Sequence, residues 1–390
     1  MKKRIAIIFE DNIYCQRGMF NAIRNRIKHL RDIVDFEIDV FVINSYEPWY
    51  IRKMRHTEKV EKVKTIQLDG IEYRVLWSRF TLTDYILDSK LHRTPFFSQL
   101  YYRFLTNKIR GYDLISAHST QCGLLASRIS KRDGIPFCVT WHGTDIHTSP
   151  FISRDEYSVV HSILNAADCN FFVSQSLLNT GLSISPKMKC EVLYNGRNKH
   201  FEKYPEELRE QLRERNGVED GAKVVAFVGN LVGVKNPNLL APIFLSVQRL
   251  YHSRVVFWVI GSGKMQKEVE EDMVKLGVQC KFWGGQPADR MPSFMNCIDV
   301  LVLPSRNEGL PLVVVEAIAC GANVAGSDVG GTREAIGKDN VFPHGDSFIQ
   351  SISERIAYML SHKVDQPLSN VFEWENTAQK EFEVYSSLLK

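Results

Sequence analysis

Short apolar runs alternate with amphipathic stretches along most of this chain. Ile5-Ala6-Ile7-Ile8-Phe9 is apolar without interruption, the pattern of a strand covered on both faces. The next stretch, 19–31, places Met19, Phe20, Ile23, Ile27 and Leu30 on one helical face, with Arg24, Lys28 and Arg31 elsewhere. Further strands are expected at 36–43, 114–118, 136–141, 169–173 and 192–194, and helices at 121–132 and 157–167. Residues 51–64 are basic and poor in apolar positions, and read as a loop or mobile segment. Asn195-Gly196 is a turn signal, and polar residues 196–220 read as a crossover. A second series follows, with strands expected at 224–228, 255–260, 279–283, 300–303 and 323–325. Its helices are expected at 237–251, 264–276, 288–297, 311–320 and 332–336. Two series of strand–helix alternation predict an α/β protein with two doubly wound domains. Ligands in such sheets bind at the carboxyl ends of the strands, so two facing domains predict a cleft.

One position breaks the hydrophobic pattern. Residues 311–320 read Pro-Leu-Val-Val-Val-Glu-Ala-Ile-Ala-Cys, with Glu316 inside an apolar helix. Pro311 suits the first helical position and Gly321 the end. A helix that is apolar nearly all round is buried. A buried carboxylate without partners costs several kcal/mol or gives up its charge. Glu316 therefore needs donors, from an arginine such as Arg306 or Arg333, or from a ligand. A ribose diol offers two hydroxyl donors. Glu308 lies just before the helix start, where unpaired backbone amides gather, and is placed to meet a sugar ring.

Composition narrows the class. The chain has 390 residues, 44% of them hydrophobic, enough for two domains. No apolar run approaches the length of a membrane span. The apolar run after Met1-Lys2-Lys3-Arg4 is too short for a signal peptide, so the reading is cytoplasmic. The eight cysteines form no C-x-x-C pair and read as reduced core thiols, and the eleven histidines show no metal-ligand spacing. Net charge is +4, but residues 1–190 hold 27 Lys+Arg against 19 Asp+Glu, so the first half carries the positive excess. The basic stretches 24–31 and 51–64 could hold an anionic lipid headgroup or glycan, or be merely a solvated surface.

Other segments carry candidate chemistry. Gly229-Asn230-Leu231-Val232-Gly233-Val234-Lys235 follows a strand and precedes a helix. Its glycines would let amides approach a phosphate, and Lys235 adds a charge; a solvated loop lysine is the plainer alternative. Gly261-Ser262-Gly263 reads as a tight turn. His142, past the strand at 136–141, stands at a strand end or serves as a capping imidazole. Gly18 sits between the first strand and first helix, where its amide could face an anion. A dinucleotide oxidoreductase needs G-x-G-x-x-G after the first strand, and Glu10 through Gly18 does not supply it. A nucleic-acid module needs aromatics interleaved with its basic residues, and these are missing.

Asn307-Glu308-Gly309-Leu310-Pro311-Leu312 through Glu316-Ala317 resembles the E-x7-E signature of family 4 glycosyltransferases, retaining enzymes of the GT-B fold. Gly229 through Lys235, Ile260 through Gly263, Phe282-Trp283-Gly284 and Gly330-Gly331-Thr332-Arg333-Glu334 match that family in order. His142-Gly143-Thr144-Asp145, Val192 through Gly196 and Trp374-Glu375 are also similar. The resemblance implies two Rossmann-like domains facing across a cleft. Domain 1–198, joined by the C-terminal helix 372–390, would bind acceptor, and domain 199–371 the nucleotide sugar. It also implies roles. Glu316 would hold the nucleotide ribose, and Glu308 with the amides of Gly309 and Leu310 the donor sugar. Lys235 would neutralise the diphosphate, Gly18 would approach it, and His142 would touch the sugar near the reacting carbon. Asn230 stands where relatives often carry a basic residue. No metal or cofactor is implied. The expected partners are a nucleotide sugar, such as a UDP- or GDP-sugar, and a glycan or lipid-linked acceptor in cell-surface polysaccharide synthesis. Binding to nucleic acid is not expected, and the inner membrane face is a possible docking surface. The alternatives are another GT-B enzyme, an epimerase or a phosphorylase, or a basic binding module. A phosphorylase would need a pyridoxal lysine, and none is identifiable.

Overall fold

A computed structural model describes residues 2–14, 18–55, 59–91 and 104–390. The chain divides into two compact units, Met1–Asn195 with Trp374–Lys390, and Gly196–Glu373. The break falls at the Asn195-Gly196 turn signal.

The first unit is an eight-stranded sheet. Its strands are β1 (Arg4–Glu10), β2 (Glu37–Tyr46), β3 (Thr65–Leu68), β4 (Ile71–Arg79), β5 (Leu114–His118), β6 (Phe137–Trp141), β7 (Cys169–Phe172) and β8 (Cys190–Val192). Their order is β3-β4-β2-β1-β5-β6-β7-β8, parallel throughout except for the β3–β4 hairpin. The central strands are buried on both faces, which is why they read as unbroken apolar runs. The second unit has β9 (Lys223–Val228), β10 (Val255–Ile260), β11 (Cys280–Gly284), β12 (Val300–Leu303), β13 (Asn323–Ser327) and β14 (Val341–Phe342). This sheet is wholly parallel, in the order β11-β10-β9-β12-β13-β14. That is the doubly wound order, in which winding reverses between the first and fourth strands of the series, here β9 and β12.

Three expectations are corrected. Residues 51–64 are not all loop, because Trp49–Arg55 is helical. The β3–β4 hairpin went unassigned, although Ile66 to Val75 alternates around Asp69-Gly70, both at positive φ, a tight-hairpin signal. The basic stretch 24–31 is not a free cationic surface. Arg24 is held by Asp69 at 2.5 Å, Arg31 donates to the Gly70 carbonyl, and Arg26 lies in the core. Cys15 lies outside the described residues; the seven other cysteines are free thiols. No helix among the described residues is long and apolar enough to cross a membrane.

Arg26 explains how the C-terminal helix, Trp374–Leu388, attaches to the first unit. Its guanidinium pairs with Glu381, and both side chains are almost fully buried. The Tyr385 hydroxyl bonds Glu381 and meets the Ser116 hydroxyl of β5 at 2.6 Å. Arg26 also lies 5.3 Å from the Phe171 ring of β7. Removing one partner strands a buried charge, a loss of about 3–5 kcal/mol. Glu381→Ala is therefore expected to lower stability by that order in urea titration, and the double variant Arg26→Met, Glu381→Leu by clearly less.

Candidate functional site

The reversal of winding sets the second unit's site. Helices following β9 and β12 leave on opposite faces, so the loops after these adjacent strands diverge and open a crevice. Lys235 is in the loop after β9 and Glu308 in the loop after β12, and the structure brings them together. Lys235 Nζ donates to Glu308 Oε1 at 2.6 Å, with Glu308 8% exposed. Two further ties stitch the loops. The Arg306 amide donates to the Val234 carbonyl at 2.8 Å, and Arg306 Nε donates to Asn236 Oδ1 at 3.1 Å. Lys235 ends a single 3₁₀ turn, Gly233–Lys235, which Asn236 terminates in the left-handed region at φ 51°. Asparagine tolerates that conformation, and its side chain then faces Arg306.

Two glycine turns seat these loops. Leu231 donates its amide to the Ser262 carbonyl at 3.0 Å and accepts from the Met265 amide at 3.1 Å. Gly261 has φ 133°, and a Cβ there would overlap the Gly229 carbonyl. The Gly261-Ser262-Gly263 turn is thus the bed of the Lys235 loop. Gly330 does the same for Glu308: it has φ 52°, and a Cβ would overlap the Glu308 carbonyl. Gly331 then donates its amide to the Gly309 carbonyl at 2.7 Å. Gly330→Ala combines a left-handed alanine, worth about 1–2 kcal/mol, with this overlap. It is expected to lower the melting temperature and displace Glu308, read as loss of activity beyond any loss of folded protein.

Glu316 sits mid-helix in Leu312–Ala319, which Pro311 precedes as the cap residue rather than opening it; the helix is buried on one side only, through Val314, Val315, Ala317 and Ile318, and Glu316 itself is partly exposed rather than buried. The internal salt bridge is absent: Arg306 binds Asn236, and Arg333 binds Asp328. The Glu316 carboxyl meets no hydrogen-bonding or ionic partner among the described residues. Apolar surroundings desolvate it and push its pKa up to about 7. Because the folded value lies above the unfolded one, the native state binds the extra proton between roughly pH 4.5 and 7, and stability falls as pH rises through that window. Glu316→Gln is expected to stabilise the ligand-free protein above pH 7, by at most about 3 kcal/mol, with the gap closing toward pH 4.5 in urea titrations.

The remaining residues named from sequence are placed as follows. Leu310 is 5% exposed, so its side chain is core and its backbone amide is what a ligand could use. Gly309 is half-buried beside it, and Asn230 is exposed at the start of its loop. Ser305 and Thr332, near these loops, are fully buried with hydroxyls that lack partners.

Gly18 and His142 belong to the first unit. Gly18 begins the helix Gly18–Ile33 and is exposed, and a Cβ there would meet nothing within 4 Å. His142 follows β6. The carboxylate of Asp145 accepts the His142 amide at 3.0 Å and the Gly143 amide at 2.7 Å, holding the turn. His142 Nε2 lies 2.9 Å from Nδ1 of His118, the last residue of neighbouring β5. Burial holds His118 well below its usual value and brings His142 down to about 3, so both imidazoles are neutral. Sequence reasoning missed His118 as a partner; its strand-end position beside that of His142 was the available signal.

The family model described as Glycosyl transferases group 1 matches residues 209–375, and the model Glycosyltransferase Family 4 matches 63–200. The chain carries glycosyltransferase domains of both kinds. It is 29% identical over 312 residues to the D-inositol 3-phosphate glycosyltransferase of Corynebacterium urealyticum, covering 71% of this chain and 72% of that one. It is 27% identical over 229 residues to the lipopolysaccharide 1,2-N-acetylglucosaminetransferase of Salmonella typhimurium, covering 54% and 57%. The crystal structure of Anabaena HepE in complex with UDP and glucose superimposes with a TM-score of 0.67 at 18% identity, over 98% of the transferase and 99% of that chain. The fold of the transferase is GT-B, with two Rossmann-like units.

Proposed function

We propose that this transferase moves a sugar from a nucleoside-diphosphate sugar to a hydroxyl of a glycan or lipid-linked acceptor, with retention at the anomeric carbon. The observation that carries the reading is Glu316, a partly exposed carboxyl with no hydrogen-bonding or ionic partner among the described residues, on the apolar helix that follows the Glu308 loop. A ribose diol supplies the two donors that the protein withholds. The UDP and glucose bound in the HepE structure support a UDP-sugar as donor. The name of the Salmonella relative supports a role in building a cell-surface polysaccharide.

In the Lys235–Glu308 pair each charge has its counterion, so neither is buried alone. A diphosphate entering beside Lys235 takes over the ammonium. It frees the Glu308 carboxylate to accept hydroxyl hydrogens of the donor sugar, with the amides of Gly309 and Leu310 nearby. Asn230 adds a neutral side chain at the loop start. In the reaction, the bond from C1 to the diphosphate oxygen breaks. The acceptor oxygen bonds to C1 on the same face, and its proton passes to the departing phosphate. Stabilising that leaving anion is the main catalytic demand, and Lys235 meets it. Neutral His142 serves as a hydrogen-bonding group at the sugar and not as a cation.

Lys235→Ala is expected to cut kcat by about 10²–10³ while circular dichroism stays native; near-normal turnover removes Lys235 from the mechanism. The experiment for the function as a whole is incubation with a panel of UDP- and GDP-sugars, followed by NMR of the anomeric proton. Slow hydrolysis of one donor with net retention is the expected result, and no turnover or binding of any donor overturns the reading. Affinity for UDP-glucose, whose phosphates do not titrate near neutrality, is expected to weaken as pH falls below about 7 in the native protein and to stay flat in Glu316→Gln, by calorimetry.

A further inference from the structure

The first unit holds a cavity that none of the donor-binding roles uses. Because β1, β2, β5 and β6 run parallel, their carboxyl ends share one edge of the sheet. At the β1–β2 end of this edge lies a cavity of about 770 Å³, walled by the strand ends, the helix Trp49–Arg55 and residues 59–62. Asn44 lines it from the end of β2. The residue is 6% exposed, and its Nδ2 has no hydrogen-bond partner among the described residues. A desolvated amide donor of this kind is satisfied only by what occupies the cavity. Arg52 and Lys59 also line the cavity, and neither side chain has an ion pair or hydrogen bond among the described residues. Trp49, 70% exposed, stands at the same wall. The carboxylates Glu10, Asp11 and Glu47 also line it, and each already has an interaction of its own, while Lys62 lies over the Tyr46 ring. Asn44, Arg52 and Lys59 thus present uncommitted donors, two of them cationic, beside a large aromatic face.

We propose that this cavity is the acceptor subsite, and that it takes a sugar bearing a carboxylate or phosphate group. Trp49 covers the apolar face of the pyranose, Asn44 donates to a ring hydroxyl, and Arg52 and Lys59 hold the anionic substituent. The proposal rests on the transferase reading above. It also fits the edge geometry. Neighbouring strands lie about 4.8 Å apart, so β6, two strands from β1, puts His142 on the order of 10 Å along the edge. A hexose in the cavity therefore lies on the same sheet edge as the histidine pair.

The test is ligand-observed NMR titration of the intact protein with hexose 6-phosphates, hexuronates and their neutral parent hexoses. Phosphate against carboxylate identifies the substituent. At least one anionic sugar is expected to bind about tenfold more tightly than its neutral parent. Arg52→Ala should erase that difference, and Trp49→Ala should weaken the sugar itself about tenfold. Equal binding of anionic and neutral sugars, or indifference to Arg52→Ala, overturns the proposal, as does inorganic phosphate binding as tightly as the sugar phosphate. Sedimentation with phosphatidylglycerol vesicles that depends on Arg52, without sugar binding, assigns the patch to a membrane and overturns it as well. Titration with UDP separates the two levels. Bound UDP with no sugar in the cavity sinks this inference alone, whereas absent UDP binding sinks the transferase reading beneath it.

Discussion

A parallel sheet that reverses its winding leaves two neighbouring loops with no helix to cover them, and the second unit is organised around that exposure. The loops after β9 and β12 must be held apart enough for a ligand and tied enough to keep their shape. The ties are few. Arg306 fastens one loop to the other through Val234 and Asn236, and Lys235 meets Glu308. Below them, Gly261 and Gly330 remove the side chains that would push the loops off their beds. The ion pair keeps two partly desolvated charges neutral as a set. An anionic ligand that took over Lys235 would leave the Glu308 carboxylate to be satisfied by hydroxyl or amide donors instead.

Glu316 differs in kind. It has no counterion to exchange, and apolar packing around its helix already raises the energy of its charged form. A neutral side chain there would remove that cost at neutral pH, which is the basis of the ribose role proposed for it. The first unit shows a related economy. His118 and His142 satisfy one another and stay uncharged, and Asp145 is committed to the turn that aims His142. The donors without commitments, Asn44, Arg52 and Lys59, gather two strands away.

Much of this architecture was readable in advance because it rests on local patterns. Unbroken apolar runs such as Val224–Val228 and Val300–Leu303 mark strands covered on both faces, and amphipathic stretches between them mark the crossover helices. What escaped was composite or half-exposed. Thr65–Arg79 carried its hairpin signal in alternation and Asp69-Gly70, yet a basic, sparsely apolar approach masked it. Arg26 looked like one more surface charge on an amphipathic helix, because its partner Glu381 lies 355 positions away.

From sequence alone came the α/β class, the two series of units, the odd carboxylate at 316 and the candidate loops at 235 and 308. Each is a statement about neighbours along the chain, where period and turn chemistry act. Only the tertiary structure decided that Lys235 touches Glu308, that Arg306 and Arg333 leave Glu316 alone, and that His118 stands against His142. Those outcomes depend on sheet order and loop direction, which bring distant residues within hydrogen-bond reach. No local pattern encodes a distance between segments that meet only once the strands have paired.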